Sequence, residues 1–215
     1  MNEIIYKIDG VDLSGIGVNI SSSDGVIDKL SIKGVTKVSH PGEHGEDVDL
    51  SEYRYNVRKL SFECFMVAAN NTDLVKKYEK FATLLGKNRL IRLEIFPDRL
   101  TTLAFDVYCA DGITFIKEWD AEGGEVVADF TLNLIEPQPV KKVFVTTANA
   151  AAISIDSDTP LQISWGDGVI KKYCFSGEHA HTFTDGIKKH FIIVSGVITE
   201  TNVITNLKLV CSVLL

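Results

Sequence analysis

One stretch of this 215-residue sequence keeps a different rhythm from all the others. From Thr72 to Leu85 the apolar side chains Leu74, Val75, Tyr78, Phe81, Ala82, Leu84 and Leu85 recur at helical spacing, while Lys76, Lys77, Glu79 and Lys80 fill the other face. Thr72 is suited to cap the start, Asp73 complements the dipole and Gly86 supplies the stop, so one amphipathic helix is expected over about 72–86. Its single apolar face needs a sheet to pack on. The sequence therefore predicts a mainly β fold with a lone helix laid against it.

The remaining patterned segments alternate in twos. Ile4–Ile8, Asp9-Gly10 and Val11–Leu13 read as a hairpin, because Asp-Gly readily takes the positive φ angles of a tight turn. Gly15–Ile20 and Asp28–Lys33 alternate on either side of a turn expected at Ser21–Gly25. The polar stretch His40–Asp49 reads as a loop, after which Tyr53–Val57 and Lys59–Phe65 resume the strand pattern. Past the helix come Leu90–Phe96, Leu103–Cys109, Ile113–Ile116 and Glu125–Ile135. Glu136-Pro-Gln-Pro139 closes that series, since two prolines remove ladder donors. A boundary is placed there, giving modules 1–139 and 140–215. The C-terminal module reads as all-β, with Ala152–Ile155, Leu161–Trp165, Val169–Phe175, His190–Val194 and Asn206–Val210 at the short spacing of a small sandwich.

Composition narrows function. Apolar residues make up 45% and charged residues 24%, enough for a core. No apolar run approaches the roughly 18–20 residues of a membrane helix, and the N-terminal Met1-Asn-Glu-Ile-Ile-Tyr-Lys7 has no Sec-type pattern. Synthesis in a cytoplasm, without signal peptide or membrane insertion, is the expectation. The net charge of −7 is uneven: residues 1–140 hold 15 Lys and Arg against 23 Asp and Glu, and residues 141–215 hold 7 against 6. An acidic first module is poorly suited to gripping phosphate backbones. Cys64, Cys109, Cys174 and Cys211 lie far apart among apolar or aromatic neighbours and read as free thiols from a reducing compartment.

Chemistry-bearing clusters resolve into structural readings. His40, Glu43, His44, Glu46, Asp47 and Asp49 crowd together, but the two histidines align only on a helix, which Pro41, Gly42 and Gly45 oppose. A solvated acidic loop is the simpler reading. His179 and His181 would share one face of a strand, with no third ligand at metal spacing unless the fold brings Asp167 or Asp185 near. Ion binding by Asp156, Asp158 or Asp167 is left open. Trp165-Gly-Asp-Gly168 lacks the ligand series of a calcium loop and the Lys-Ser/Thr of a phosphate loop; it reads as a structural turn in which Asp167 bonds nearby amides and Trp165 enters the core. No nucleophile elbow, His-Glu-x-x-His or dinucleotide fingerprint is present. No catalytic residue, cofactor, metal or enzyme activity is expected.

Two resemblances follow from the motifs. The first module carries Gly25-Val-Ile-Asp-Lys-Leu30, the His40–Leu50 loop, Tyr55-Asn-Val-Arg58-Lys-Leu-Ser-Phe62, the single helix and Leu134-Ile-Glu-Pro-Gln-Pro139 in that order. It resembles the distal tail proteins of long-tailed bacteriophages, whose N-terminal domain is related to tail-tube proteins. The C-terminal module resembles polycystic-kidney-disease-type immunoglobulin-like sandwiches, on Ile163-Ser-Trp-Gly-Asp-Gly168, His181-Thr-Phe-Thr-Asp-Gly186 and His190-Phe-Ile-Ile-Val-Ser-Gly196. That likeness implies a spacer or an adhesive surface.

The likeness of the first module implies a structural virion or prophage protein. Its tail-tube-like sandwich or barrel would close into a homo-oligomeric ring, a hexamer, joining tail tube and baseplate proteins to the host-recognition apparatus. DNA would pass through the lumen without being specifically bound, repelled by acidic walls over about 8–10 Å at physiological salt. Some of Glu43, Glu46, Asp47 and Asp49 are then expected toward the lumen or a subunit joint, with Tyr53, Tyr55 and Arg58 anchoring the loop; the alternative packs the tyrosines inward and pairs Arg58 locally. The rival reading is a non-catalytic bacterial surface module that binds carbohydrate or protein. It calls for an exposed aromatic patch, and Trp119 and Trp165 are the only indoles.

Overall fold

Asp9 and Gly10 sit at φ 48° and 79° and fold β1 (Ile5–Ile8) back onto β2 (Val11–Asp12), as an Asp-Gly pair favours. The computed structural model describes residues 4–51, 53–98, 102–117, 125–157, 159–198, 200–205 and 207–212. Strand β3 (Val18–Asp24) is followed by a short pair, β4 (Lys37–Val38) and β5 (Asp47–Val48), and then by β6 (Arg58–Ala68). After helix α1 (Asn71–Leu85) come β7 (Ile91–Phe96), β8 (Leu103–Val107), β9 (Phe115–Lys117) and β10 (Val126–Glu136).

Strands β6 and β10 pair antiparallel from Arg58 opposite Glu136 to Ala68 opposite Val126. Every second side chain of each is buried, the signature of a strand with one face on a core. They sit at the centre of the sheet β3-β6-β10-β9, and a second sheet, β2-β1-β7-β8, lies across from it. Phe62, Met66, Leu132 and Leu134 from the first meet Ile8, Leu93, Phe105 and Val107 from the second, and α1 adds Leu74 and Phe81. The helix starts two residues earlier than a Thr72 cap would set it. Asn70 is the cap, its Oδ1 accepting the Asp73 N–H at 2.9 Å, and the Asp73 carboxylate accepts the Ala69 N–H at 3.1 Å.

Three expectations are corrected between residues 21 and 57. Ser21–Asp24 continues β3 past a register shift, because an edge strand can pair through its backbone whatever its side chains. Asp28–Lys33 and Tyr53–Val57 do not form full strands; they meet at the single bridge Ile32–Tyr55, and β4 pairs β5 further out. The acidic stretch is thus the far end of a two-stranded arm: residues 40–46 form the loop expected there, and Asp47–Val48 belongs to β5.

The rest of the chain builds β11 (Lys141–Thr146), β12 (Ala150–Asp156), β13 (Leu161–Ser164), β14 (Ile170–Cys174), β15 (Gly177–Thr182), β16 (His190–Ser195), β17 (Glu200–Thr205) and β18 (Lys208–Ser212). The sheets β14-β13-β16-β11-β18 and β15-β12-β17 enclose Phe144, Ile153, Ile155, Ile163, Trp165, Ile192 and Val194. A third apolar cluster joins the two sandwiches: Ala104 of β8, with Phe96 beside it, packs on Val143, Phe191 and Ile193 of β11 and β16. Strands β7 and β8 are therefore covered on both faces, and β7 and β16 are buried along nearly their whole length.

Charged groups are sealed into this stack. Glu136 and Lys141 are each 1% exposed and Arg58 3%. Glu136 accepts from Arg58 Nε at 3.2 Å and from Lys141 Nζ, which also donates to the Ala104 carbonyl at 2.7 Å. The Lys141 ammonium lies 4.0 Å from the Phe105 ring centroid. Burial pushes the Glu136 carboxyl up and the Lys141 ammonium down, and each restrains the other's shift. Removing Lys141 leaves one oxygen of the buried Glu136 carboxylate without its donor and Arg58 as the remaining cation. Lys141→Met is expected to cost about 3–5 kcal/mol in denaturant unfolding; a loss under about 1 kcal/mol would mean that the pair holds nothing.

Candidate functional site

Two surfaces stand out: the arm, and a cleft where the two sandwiches meet. The arm leaves the sheet at Gly25, whose φ of +80° brings the Lys59 carbonyl 2.0 Å from where a Cβ would stand, so a side chain does not fit. Arg58 closes its base, donating through Nη1 to the carbonyls of Gly25 (3.0 Å) and Asp28 (3.2 Å). Backbone bonds from Lys33 N–H to Arg54 O (2.7 Å), from Asn56 N–H to Ser31 O (2.9 Å) and from Asp49 N–H to Thr36 O (3.1 Å) hold the two sides together.

The predicted contact residues divide between base and tip. Glu43, Glu46, Asp47 and Asp49 are all exposed on the outer arm. Glu46 meets Lys37 at 3.0 Å and Asp47 meets His40 at 3.5 Å. Asp49 accepts from the Ser51 hydroxyl and amide, which hold its carboxyl below the ordinary range. Tyr53 is exposed and packs edge-on against half-buried Tyr55 at 5.4 Å. Arg58 lies at the base rather than the tip: buried beneath the arm, it pairs with Glu136 while bonding the Gly25 and Asp28 carbonyls, because β6 turns it toward the core face with Leu60 and Phe62. Around these residues Ile27, Val38, Val48, Leu50 and Val57 are also exposed, so the arm carries apolar and acidic side chains together.

The cleft occupies about 520 Å³ between β7, β16 and the turns at Gly10 and Gly166–Gly168. Arg92 closes its floor: Nε donates to Asp106 Oδ1 at 2.7 Å, Nη2 to Ser164 Oγ at 2.8 Å, and Nη1 to the Phe191 carbonyl. Asp9 accepts from the Arg92 amide at 2.9 Å and pairs with Lys87 at 2.5 Å and Arg89 at 2.9 Å. Burial works to raise the Asp9 carboxyl, but those donors outweigh it and hold the group below 3.8. Lys7 lies over Phe96 and Lys189 over Phe191, the two rings meeting edge-on at 6.3 Å. Glu94 faces them, its carboxyl pushed up by burial against the pull of Arg92, Lys7 and Lys189.

The Trp165-Gly-Asp-Gly168 turn forms one wall. Trp165 is buried and its backbone N–H donates to Val169 O at 3.0 Å, while Asp167 Oδ1 accepts the Val169 N–H at 3.0 Å. Asp167 Oδ2 meets His181 Nε2 at 2.6 Å, and the His181 ring stacks on Trp165 at 5.0 Å. His179 is turned instead to the Phe175 carbonyl and Lys171, so the two histidines share no ligand position. Asp156 meets the Ser176 hydroxyl at 3.1 Å. Among the described residues no group of three or more His, Cys, Asp or Glu is arranged to hold a metal. Asp158 and Trp119 lie outside the described residues. Burial pushes the Cys64 thiol up to about 12 and raises Cys109 and Cys174, so none of the three is set up as a thiolate.

Sequence reasoning missed Arg92, Asp106, Glu136 and Lys141. The available signal was a charge inside a strongly apolar strand, as in Ile91-Arg-Leu-Glu-Ile-Phe96. No family model matches the chain, and no curated protein does. Among solved structures the fold is similar to the SPP1 Dit protein, titled a paradigm of the hub adsorption apparatus in phages infecting Gram-positive bacteria, at 14% identity over 94% of this chain and 100% of that one, with a TM-score of 0.47. It is also similar to a chain of the phage p2 baseplate in its activated conformation with Sr (9% identity, 97% and 98% covered, TM-score 0.48). A chain of the phage P2 baseplate with Ca gives 10%, 96%, 96% and 0.47.

Gly166 is the tightest point of the cleft wall, at φ +94° with the Phe191 carbonyl 2.6 Å from a hypothetical Cβ. Gly166→Ala is expected to lose about 1–3 kcal/mol of stability in urea unfolding. Because the folded Asp9 carboxyl titrates below its unfolded value, its contribution is full above that value and fades as pH falls through the folded one. Asp9→Asn should therefore lower the melting temperature at pH 7 and converge with the unchanged protein near pH 2; parallel curves down to pH 2 would remove Asp9 from the acid limb.

Proposed function

We propose that this chain is a non-catalytic structural protein of a phage or prophage tail. Residues 1–139 form a tube-related ring domain and residues 140–215 an appended sandwich that contacts neighbouring tail proteins or the host-recognition apparatus. The ring is a hexamer, DNA crosses its lumen without specific binding, and the acidic arm lies at the lumen or a subunit joint. The observation that carries this reading is the arm. A lone two-stranded ribbon is marginal in water, and this one leaves Ile27, Val38, Val48, Leu50 and Val57 uncovered beyond a well-packed sandwich. Such a ribbon is stabilised when a neighbouring subunit covers it. No helix among the described residues is long and apolar enough to cross a membrane. Among the described residues the carbohydrate-binding alternative lacks a comparable observation, since Trp165 is buried beneath His181.

Sedimentation velocity and negative-stain electron microscopy of the full chain test the reading. Sixfold rings are expected, and replacing residues 36–51 by a short Gly-Ser link should leave folded monomers. A chain that stays monomeric at high concentration would overturn the proposal.

A further inference from the structure

The cleft between the sandwiches is cationic in an acidic protein once its internal pairs are accounted for. Asp9 is neutralised by Lys87 and Arg89, Arg92 by Asp106, and Asp167 and Asp185 face His181 and His190. Among the described residues, no carboxylate lies within ion-pair distance of Lys7, Lys188 or Lys189, although all three line the cleft. The acids beside them in the lining are Glu94, whose charged form burial disfavours, and Asp167 and Asp185, which face the two histidines, so the lining holds five lysines and arginines against four acids. The cleft also shows apolar surface: Phe96 and Phe191 form part of its lining, and Ile187 at its rim is 52% exposed.

The arm has the matching chemistry. Residues 37–50 carry one lysine against Glu43, Glu46, Asp47 and Asp49, with Val48 and Leu50 exposed among them. From Ile32 to Gly42 an extended chain at roughly 3.3 Å per residue spans about 30 Å, enough to reach a neighbouring subunit. Resting on the ring reading, we infer that the acidic end of the arm docks in the cationic cleft of the next copy of this chain. Arm and cleft are different surfaces of one subunit, so the contact runs head to tail, the geometry that closes into a ring when its rotation permits. The ring joint then uses both sandwiches, since Lys188 and Lys189 come from the second and Lys7 from the first.

Two charge-reversed chains test this: Glu43→Lys/Asp47→Lys, reversed on the arm, and Lys188→Glu/Lys189→Glu, reversed at the cleft. All four positions are exposed, so folding is expected to survive, which a circular-dichroism melt checks. Each variant alone should assemble about tenfold or more weakly than the unchanged chain in sedimentation velocity, because like charges meet at every joint. A one-to-one mixture should regain rings, since arms and clefts of opposite sign then alternate. If either variant assembles as well as the unchanged chain, or the mixture stays dissociated, the docking is wrong while the ring reading stands. If the unchanged chain forms no ring, both fall.

Discussion

Strands β7 and β8, the inner part of their sheet, are covered on both faces, and this sets the terms for everything around them. Ile91, Leu93 and Ile95 turn to one core, so Arg92 and Glu94 must turn to the other side, where the second sandwich lies. A guanidinium there is tolerable only if its donors are met and its charge is balanced. Asp106, Ser164 and the Phe191 carbonyl do this for Arg92. Two of those three acceptors belong to the second sandwich. The bonds are therefore directional ties between the sandwiches, added to the apolar contact of Ala104 with Val143, Phe191 and Ile193. Asp106 Oδ2 is left without a partner among the described residues, which makes this junction costly to assemble and sensitive to any shift.

The same geometry explains what could be read from the sequence. The lone helix, the Asp-Gly hairpin and the long strands β6 and β10 follow from local periodicity and turn chemistry, which act within a few residues. The charges at 92, 106, 136 and 141 do not. An alternating strand normally puts its polar side in water, so Arg92 and Asp106 read as a solvated face. Only the arrival of a second sandwich, a contact between residues some 70 to 100 apart, turns that face inward. Strand β15 escaped for the opposite reason. Gly177-Glu-His-Ala-His-Thr182 is mostly exposed at the edge of its sheet, so no apolar face marks it. The arm was half legible: its acidity and glycines showed in the sequence, but its ribbon form rests on backbone pairing at Ile32–Tyr55 and β4–β5 that no side-chain pattern announces.

Arm and junction make opposite demands on the chain. The junction is buried, paired and held by groups whose replacement disturbs two sandwiches at once. The arm is exposed, with surface ion pairs such as Lys37–Glu46 that contribute little in water. They are joined at one place: Arg58 bonds the carbonyls of Gly25 and Asp28 at the arm's root and the carboxylate of Glu136, which in turn holds Lys141. The root of the arm is thus fixed to the buried ion network, and the direction in which the arm leaves is set by the packing of the core. In the proposed ring the ribbon would need that fixed exit, because subunits meet around an axis only if each projects its contact at the same angle. The buried charges, costly in isolation, are what give the exposed segment a defined place to point.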